Sequence, residues 1–91
     1  MGSKPSLVPI DVRRLGNAEL NDPDVWREAL GRKASMRLRN RDDPHHPFTE
    51  AVGVIQSVTE DDAGKTSVTV VSRRGEMRSA AIDDVLAAKI F

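Results

Sequence analysis

The chain has 91 residues, in which 14 lysines and arginines balance 14 aspartates and glutamates, and it contains no cysteine. This length permits one small domain that buries roughly 60–65% of its unfolded surface, and the missing thiols exclude disulfides, thiolate metal sites and cysteine nucleophiles. Zero net charge and only one Trp and two Phe argue against a general polyanion binder with base-stacking platforms. The sequence has neither a membrane-spanning apolar run nor a signal peptide, and we expect a cytoplasmic protein.

The N-terminal region is expected to differ from the rest of the chain. Residues 1–20 are predicted to form a flexible tail, with two prolines between Lys4 and Pro9, and residues 21–91 a single domain. Val8–Arg14 alternates apolar and charged residues, which fits either a short additional strand or a segment lying extended on the domain.

A short helix is predicted over residues 23–30. Asp22 is a suitable N-cap, and Pro23 fits the first helical position because its missing N–H would have no partner there. Gly31 is placed to end the helix in the left-handed conformation. A helix this short is unstable alone and must dock on other elements.

Trp26 is the most informative single residue of this helix. It forms an apolar face with Ala29 and Leu30 at helical spacing. These apolar neighbours favour a role for Trp26 as a core anchor. The alternative is that Trp26 is an exposed aromatic residue in a peptide-binding groove.

From Lys33 onward the apolar pattern changes to a period of two, which is typical of strands. Gly53 lies inside a predicted strand and indicates a bend or bulge. The predicted strands begin at Lys33 and continue with Phe48–Val58, Thr66–Ser72, Glu76–Ala81 and Leu86–Phe91, with a 3₁₀ turn at Ile82–Val85 and a tight hairpin at Arg73–Glu76. The fold class is therefore mainly β: a small five-stranded SH3-like or Sm-like barrel with a short N-terminal α-helix, or alternatively a short OB-like barrel.

Three segments carry a family resemblance: Phe48–Val58, Val70–Glu76 and Ile82–Ile90. Together they resemble the SH3-like domain at the N-terminus of actinobacterial GNAT-type acetyltransferases, with Asp84–Lys89 as the most characteristic part. The resemblance covers about Gly31–Phe91 and implies an accessory module. The acetyltransferase domain that follows in that family is absent from these residues, so no acetyl-CoA site or catalytic residue is carried over.

A second likeness concerns the N-terminal half of the domain. The short helix followed by Gly31–Arg39 and a strand containing Gly53 is similar to the Sm-like barrels of RNA-binding and ribosome-maturation proteins. The Arg73–Met77 hairpin contains no Sm-type RNA-binding motif, so this likeness supports the fold more than the function.

The segment Asp42–Pro47 is the only cluster of metal-ligand residue types. Adjacent residues seldom reach one ion together, so we interpret it as a proline-bracketed surface loop. In SH3-type barrels the corresponding long loop lies beside the ligand groove, which makes His45, His46 and Phe48 candidate partner contacts. The two histidines would make such a contact sensitive to pH.

The arginines form a second candidate surface. Arg37 and Arg39 alternate with core residues and share an exposed strand face, which equally fits a solvated face that discourages edge pairing. If this face adjoins the hairpin, the arginines and neighbouring Arg32 and Lys33 form a local cationic patch. The candidate anion or nucleic-acid contacts are Arg37, Arg39, Arg41, Arg73, Arg74 and Arg78.

No motif indicates catalysis, a cofactor or a metal centre. The carboxylates of Glu60–Asp62 and Asp83–Asp84 lie in predicted turns and lack the opposed, desolvated arrangement of an acid–base pair. We therefore expect a non-catalytic interaction module with a protein partner or adjoining domain. The alternative is a nucleic-acid-binding protein that uses the arginine-rich strand face, and no membrane partner is expected.

Overall fold

The computed structural model describes residues 12–91 and is mainly β, as predicted. Six antiparallel strands form one sheet in the order β1-β6-β2-β3-β4-β5, and two short helices precede β2. The elements are β1 (Arg13–Arg14), α1 (Asn17–Leu20), α2 (Pro23–Glu28), β2 (Lys33–Arg39), β3 (Phe48–Glu60), β4 (Thr66–Val71), β5 (Met77–Ala81), a 3₁₀ turn (Ile82–Asp84) and β6 (Val85–Ile90).

The five predicted strands correspond to β2–β6. The sheet has six strands because Arg13 and Arg14 pair with Ile90 and Lys89 of β6. Within residues 12–91, no backbone ladder joins β5 to β1, so the sheet is open at its two outer strands.

The alternation predicted for β2 is present in the structure. Ala34, Met36 and Leu38 are buried, whereas Arg37 and Arg39 are exposed. Because successive side chains of a strand point to opposite faces, β2 defines an inner face that covers the core and an outer face that meets solvent.

Gly53 lies where two backbones approach closely. A Cβ atom at this position would lie 2.4 Å from the carbonyl oxygen of Val71 in β4. The β3–β4 register shifts between Ile55 and Ser57, so the bulge follows the glycine by three residues instead of including it. Gly53 is therefore explained by the close approach of β4.

Helix α2 begins as predicted but ends two residues earlier. The Asp22 carboxylate accepts a hydrogen bond from the Asp24 N–H at 3.0 Å, and Gly31 has a φ of +84°. Because the chain turns after Glu28, Leu30 leaves the buried face and is 46% exposed. Neither helix of the described chain is long and apolar enough to cross a membrane.

Residues 12–20 belong to the packed domain, whereas the sequence places them in a flexible tail. Leu15 and Leu20 are buried in the core. Trp26 is completely buried, which confirms its interpretation as a core anchor, and its indole N–H donates to the Leu20 carbonyl at 3.0 Å. The indole bond joins α2 to the end of α1, and both helices share one core with the sheet. The remainder of the predicted tail, residues 1–11, lies outside the described residues.

The core occupies the inner face of the sheet beneath the two helices. Met36, Ile55, Val68 and Val70 are the largest fully buried side chains of its strands. The long strand β3 pairs with β2 through Phe48–Val54 and with β4 through Val54–Glu60. One strand thus connects both halves of the sheet.

Candidate functional site

Four apolar side chains form a continuous row on the outer face, which we call the outer apolar row. Val54 pairs with Val71, and Val71 pairs with Met77 across β3, β4 and β5. Val52 lies two residues before Val54 and therefore on the same face. Val52, Val54 and Met77 are 45%, 44% and 65% exposed. Exposed apolar residues that adjoin one another in this way are typical of interaction sites.

The local sequence explains why valines remain in solvent here. In residues 51–55, both the odd-numbered and the even-numbered positions lack polar side chains, so either set could face the core. The structure buries Ala51 and Ile55 and leaves Val52 and Val54 outside. The alternation does not identify which set of residues faces the core, so the sequence alone does not predict the outer apolar row.

The outer apolar row borders a groove of about 540 Å³. Its apolar floor includes Val52, Val54 and Val71, and its rim carries three cations and one acid: Lys33, Arg73, Arg74 and Glu76. The arrangement offers apolar contact on the floor and an excess of positive charge around it.

The hairpin between β4 and β5 positions two of the rim cations. Gly75 has a φ of +84°, and Ser72 donates its N–H to the Glu76 carbonyl at 2.8 Å. This tight turn places Arg73 and Arg74 in solvent, where both are exposed. The predicted hairpin around Gly75 is confirmed.

Asp43 organises the loop that carries the predicted partner contacts. Its carboxylate accepts a hydrogen bond from the His45 N–H and lies 3.0 Å from Nδ1 of His46. His45 and His46 are exposed, and Phe48 at the start of β3 is 57% exposed. The three predicted contact residues are thus accessible in one segment. Among residues 12–91, no group of three histidine or acidic side chains is arranged to hold a metal ion.

The predicted arginine contacts lie around different hollows of the surface. Arg37 lines a hollow of about 220 Å³ with Arg14 and Lys89, and its guanidinium lies 3.8 Å from the Glu50 carboxylate. Arg73 lines the 540 Å³ groove described above. Arg37 is therefore placed in a separate hollow from the hairpin arginines.

Arg39, Arg41 and Arg78 line a third hollow, of about 300 Å³. The Arg41 guanidinium donates to the Asp84 carboxylate at 2.8 Å. Arg78 donates to the Glu50 carbonyl at 3.2 Å. Arg41 and Arg78 thus make internal hydrogen bonds, and the hollow that Arg37 lines shares no residue with the hollows of the other predicted arginines.

No family model, curated protein or solved structure matches the chain.

Proposed function

We propose that this chain is a non-catalytic SH3-like accessory module that binds a partner protein through its outer apolar row. The single observation that carries the proposal is the exposed row of Val52, Val54 and Met77 beside a cation-rimmed groove. The partner is a protein, or an adjoining domain, of the kind that the resemblance to actinobacterial GNAT-type acetyltransferases implies.

The order of the strands supports the small-barrel part of this proposal. Strands β6, β2, β3, β4 and β5 follow one another in the sheet, and a 3₁₀ turn separates β5 from β6. A long β3 shared by two halves of the sheet is a suitable way to fold a short antiparallel sheet around one core.

The chemistry of the exposed surface favours a protein over a nucleic acid. Proteins bind through apolar cores surrounded by polar rims, and the groove has this composition. The arginine surface is a weaker candidate for a binding site than the apolar groove, because Arg37 and Arg41 already face the carboxylates of Glu50 and Asp84. Paired arginines have less to gain from phosphate contacts.

Selection of binding peptides tests the proposal directly. A library of random twelve-residue peptides is selected on the folded chain, and individual peptides are measured by fluorescence anisotropy. We expect micromolar binders whose affinity falls at least about tenfold, roughly 1.4 kcal/mol, in the variants Val54→Asp and Met77→Asp. The matched control is Thr59→Asp, which adds the same charge to an exposed site on β3 and is expected to leave affinity unchanged.

Labelled single-stranded RNA and duplex DNA are titrated in parallel at low and moderate salt. Binding to phosphates would weaken steeply with salt. Salt-sensitive nucleic-acid binding that is lost in Arg37→Ala and Arg39→Ala, without any peptide binding, would overturn the proposal in favour of the nucleic-acid alternative. Peptide binding that Val54→Asp and Met77→Asp leave unaffected would contradict the assigned surface.

A further inference from the structure

The first half of β3 has a backbone edge that faces away from β2. Ile55 donates its N–H to Arg32, and Pro47 accepts from the Asn40 N–H, so the odd-numbered residues of β3 form the ladder with β2. Hydrogen bonding alternates along an antiparallel pair. The N–H and C=O groups of Phe48, Glu50 and Val52 therefore point to the opposite side, where β4 pairs with β3 only from Val54 onward.

Strand β5 presents a second edge of the same kind. The Ser72 N–H donates to Glu76, and Val70 pairs with Arg78 in the register of the hairpin. By the same alternation, Met77 and Ser79 direct their backbone groups away from β4. No strand of residues 12–91 pairs with this edge.

A side chain, instead of a ladder, connects these two edges. Arg78 reaches from β5 to β3 and donates to the Glu50 carbonyl at 3.2 Å and the Thr49 hydroxyl at 3.1 Å. Strands that pair directly lie only about 4.8 Å apart, so a guanidinium bridging by its side chain indicates a wider separation. We call this region, between residues 48–52 of β3 and 77–81 of β5, the β3–β5 seam.

Hollows lie on both sides of the Arg78 bridge. One, of about 390 Å³, is lined by Ala51, Val70 and Met77 among others, and another, of about 300 Å³, includes Leu38 and Ala80. An extended segment in the seam would therefore direct alternate side chains toward small apolar surfaces.

We propose that the β3–β5 seam accepts an extended acidic segment of a partner protein as an added strand on the edge of β3. This inference rests on the proposed function and specifies how the partner docks. Addition of a strand to an exposed edge uses backbone hydrogen bonds for affinity and alternate side chains for specificity. The incoming N–H replaces Arg78 at the Glu50 carbonyl, and the released guanidinium pairs with a carboxylate of the segment.

The charge around the seam selects an acidic occupant. Its two hollows and the adjoining 540 Å³ groove are lined by six cations, namely Lys33, Arg39, Arg41, Arg73, Arg74 and Arg78. Three carboxylates, those of Asp42, Glu76 and Asp84, line the same surfaces. A segment that alternates acidic and small apolar residues complements both this excess charge and the apolar walls.

The test uses a fluorescein-labelled peptide of alternating glutamate and valine, and a lysine–valine peptide as its charge-reversed control. We expect the acidic probe to bind and the basic one not to bind. Val52→Pro removes an N–H that faces the seam but leaves the ladder with β2 intact, because proline is tolerated at a free strand edge. The affinity of Val52→Pro for the probe is expected to fall at least about tenfold further than that of Val52→Thr, which also changes the side chain in the outer apolar row but keeps the N–H.

Hydrogen exchange of the unmodified chain tests strand addition even if Val52→Pro does not fold. Saturation with the acidic probe is expected to slow exchange at the Glu50 and Val52 amides. Absence of probe binding, or binding without this protection and with normal affinity in a folded Val52→Pro variant, would overturn strand addition. The proposed function would still stand if library peptides bound the chain and this binding was lost in Val54→Asp. Both the proposed function and strand addition would fail if no peptide bound at all.

Discussion

The Arg78 guanidinium donates a hydrogen bond to the carbonyl oxygen of Glu50 at 3.2 Å. The two residues belong to β5 and β3, which share no backbone ladder in the described sheet. A second bond from the same guanidinium reaches the Thr49 hydroxyl. A single side chain therefore joins the outer strand to the middle of the sheet.

Replacing Arg78 by alanine is expected to loosen β5 without unfolding the domain. Two exposed hydrogen bonds are lost, which corresponds to about 1 kcal/mol or less. Hydrogen exchange should accelerate at the Arg78 and Ala80 amides, which face β4, while amides of β2 remain protected. Arg78→Lys keeps the charge but not the forked geometry, and should give an intermediate effect. Unchanged exchange in β5 of Arg78→Ala would contradict the bridging role.

Gly53→Ala is expected to destabilise the domain by about 3 kcal/mol, since a Cβ atom would collide with the backbone of Val71. Urea unfolding followed by circular dichroism measures the change. Gly16→Ser is the matched control, because its nearest contact, the flexible Glu19 carboxylate, lies 3.7 Å away and serine is a favourable N-cap. Equal stability of the two variants would refute the close approach at Gly53.

Trp26→Phe is expected to lower the free energy of unfolding by about 2–3 kcal/mol. The smaller ring leaves a cavity and deprives the Leu20 carbonyl of its indole donor. The unfolding transition of the variant is measured by far-ultraviolet circular dichroism, because the chain has no other tryptophan for fluorescence. Leu30→Ala, at an exposed position of the same segment, should change stability by less than about 0.5 kcal/mol.

Asp22→Ala is expected to cost about 1 kcal/mol, because the Asp24 N–H loses its side-chain acceptor at the start of α2. Asp22→Asn retains an acceptor oxygen and should stay close to the original stability. Thermal unfolding of the two variants measures the difference. A loss as large in Asp22→Asn as in Asp22→Ala would show that charge, and not capping, is responsible.

Local patterns predicted the elements whose signals lie within a few residues. The cap at Asp22, the left-handed Gly31 and the alternation of β2 depend on neighbouring side chains and backbone geometry, so the sequence contains them directly. The same holds for the hairpin at Gly75, where a positive φ favours glycine.

Features that depend on distant contacts were not predictable in this way. Leu15 and Leu20 are buried in the common core, where Leu15 donates its N–H to Ala88 of β6 and the Leu20 carbonyl accepts from the Trp26 indole. Leu30 continues the helical spacing, yet the helix ends first and exposes it. The division of the arginines depends equally on register, because Arg37 lies opposite Glu50 whereas Arg78 bridges the seam.

The position of β6 affects how the domain can fold. Strand β6 lies between β1 and β2 in the sheet. Lys33 bonds to Phe91 and Arg14 pairs with Lys89, so neither β1 nor β2 can form its ladder with β6 until the last residues of the domain are present. Contacts between residues so far apart in the chain slow folding. During synthesis on a ribosome, β1 and one edge of β2 therefore remain unpaired until β6 has emerged, and unpaired strand edges are prone to aggregation.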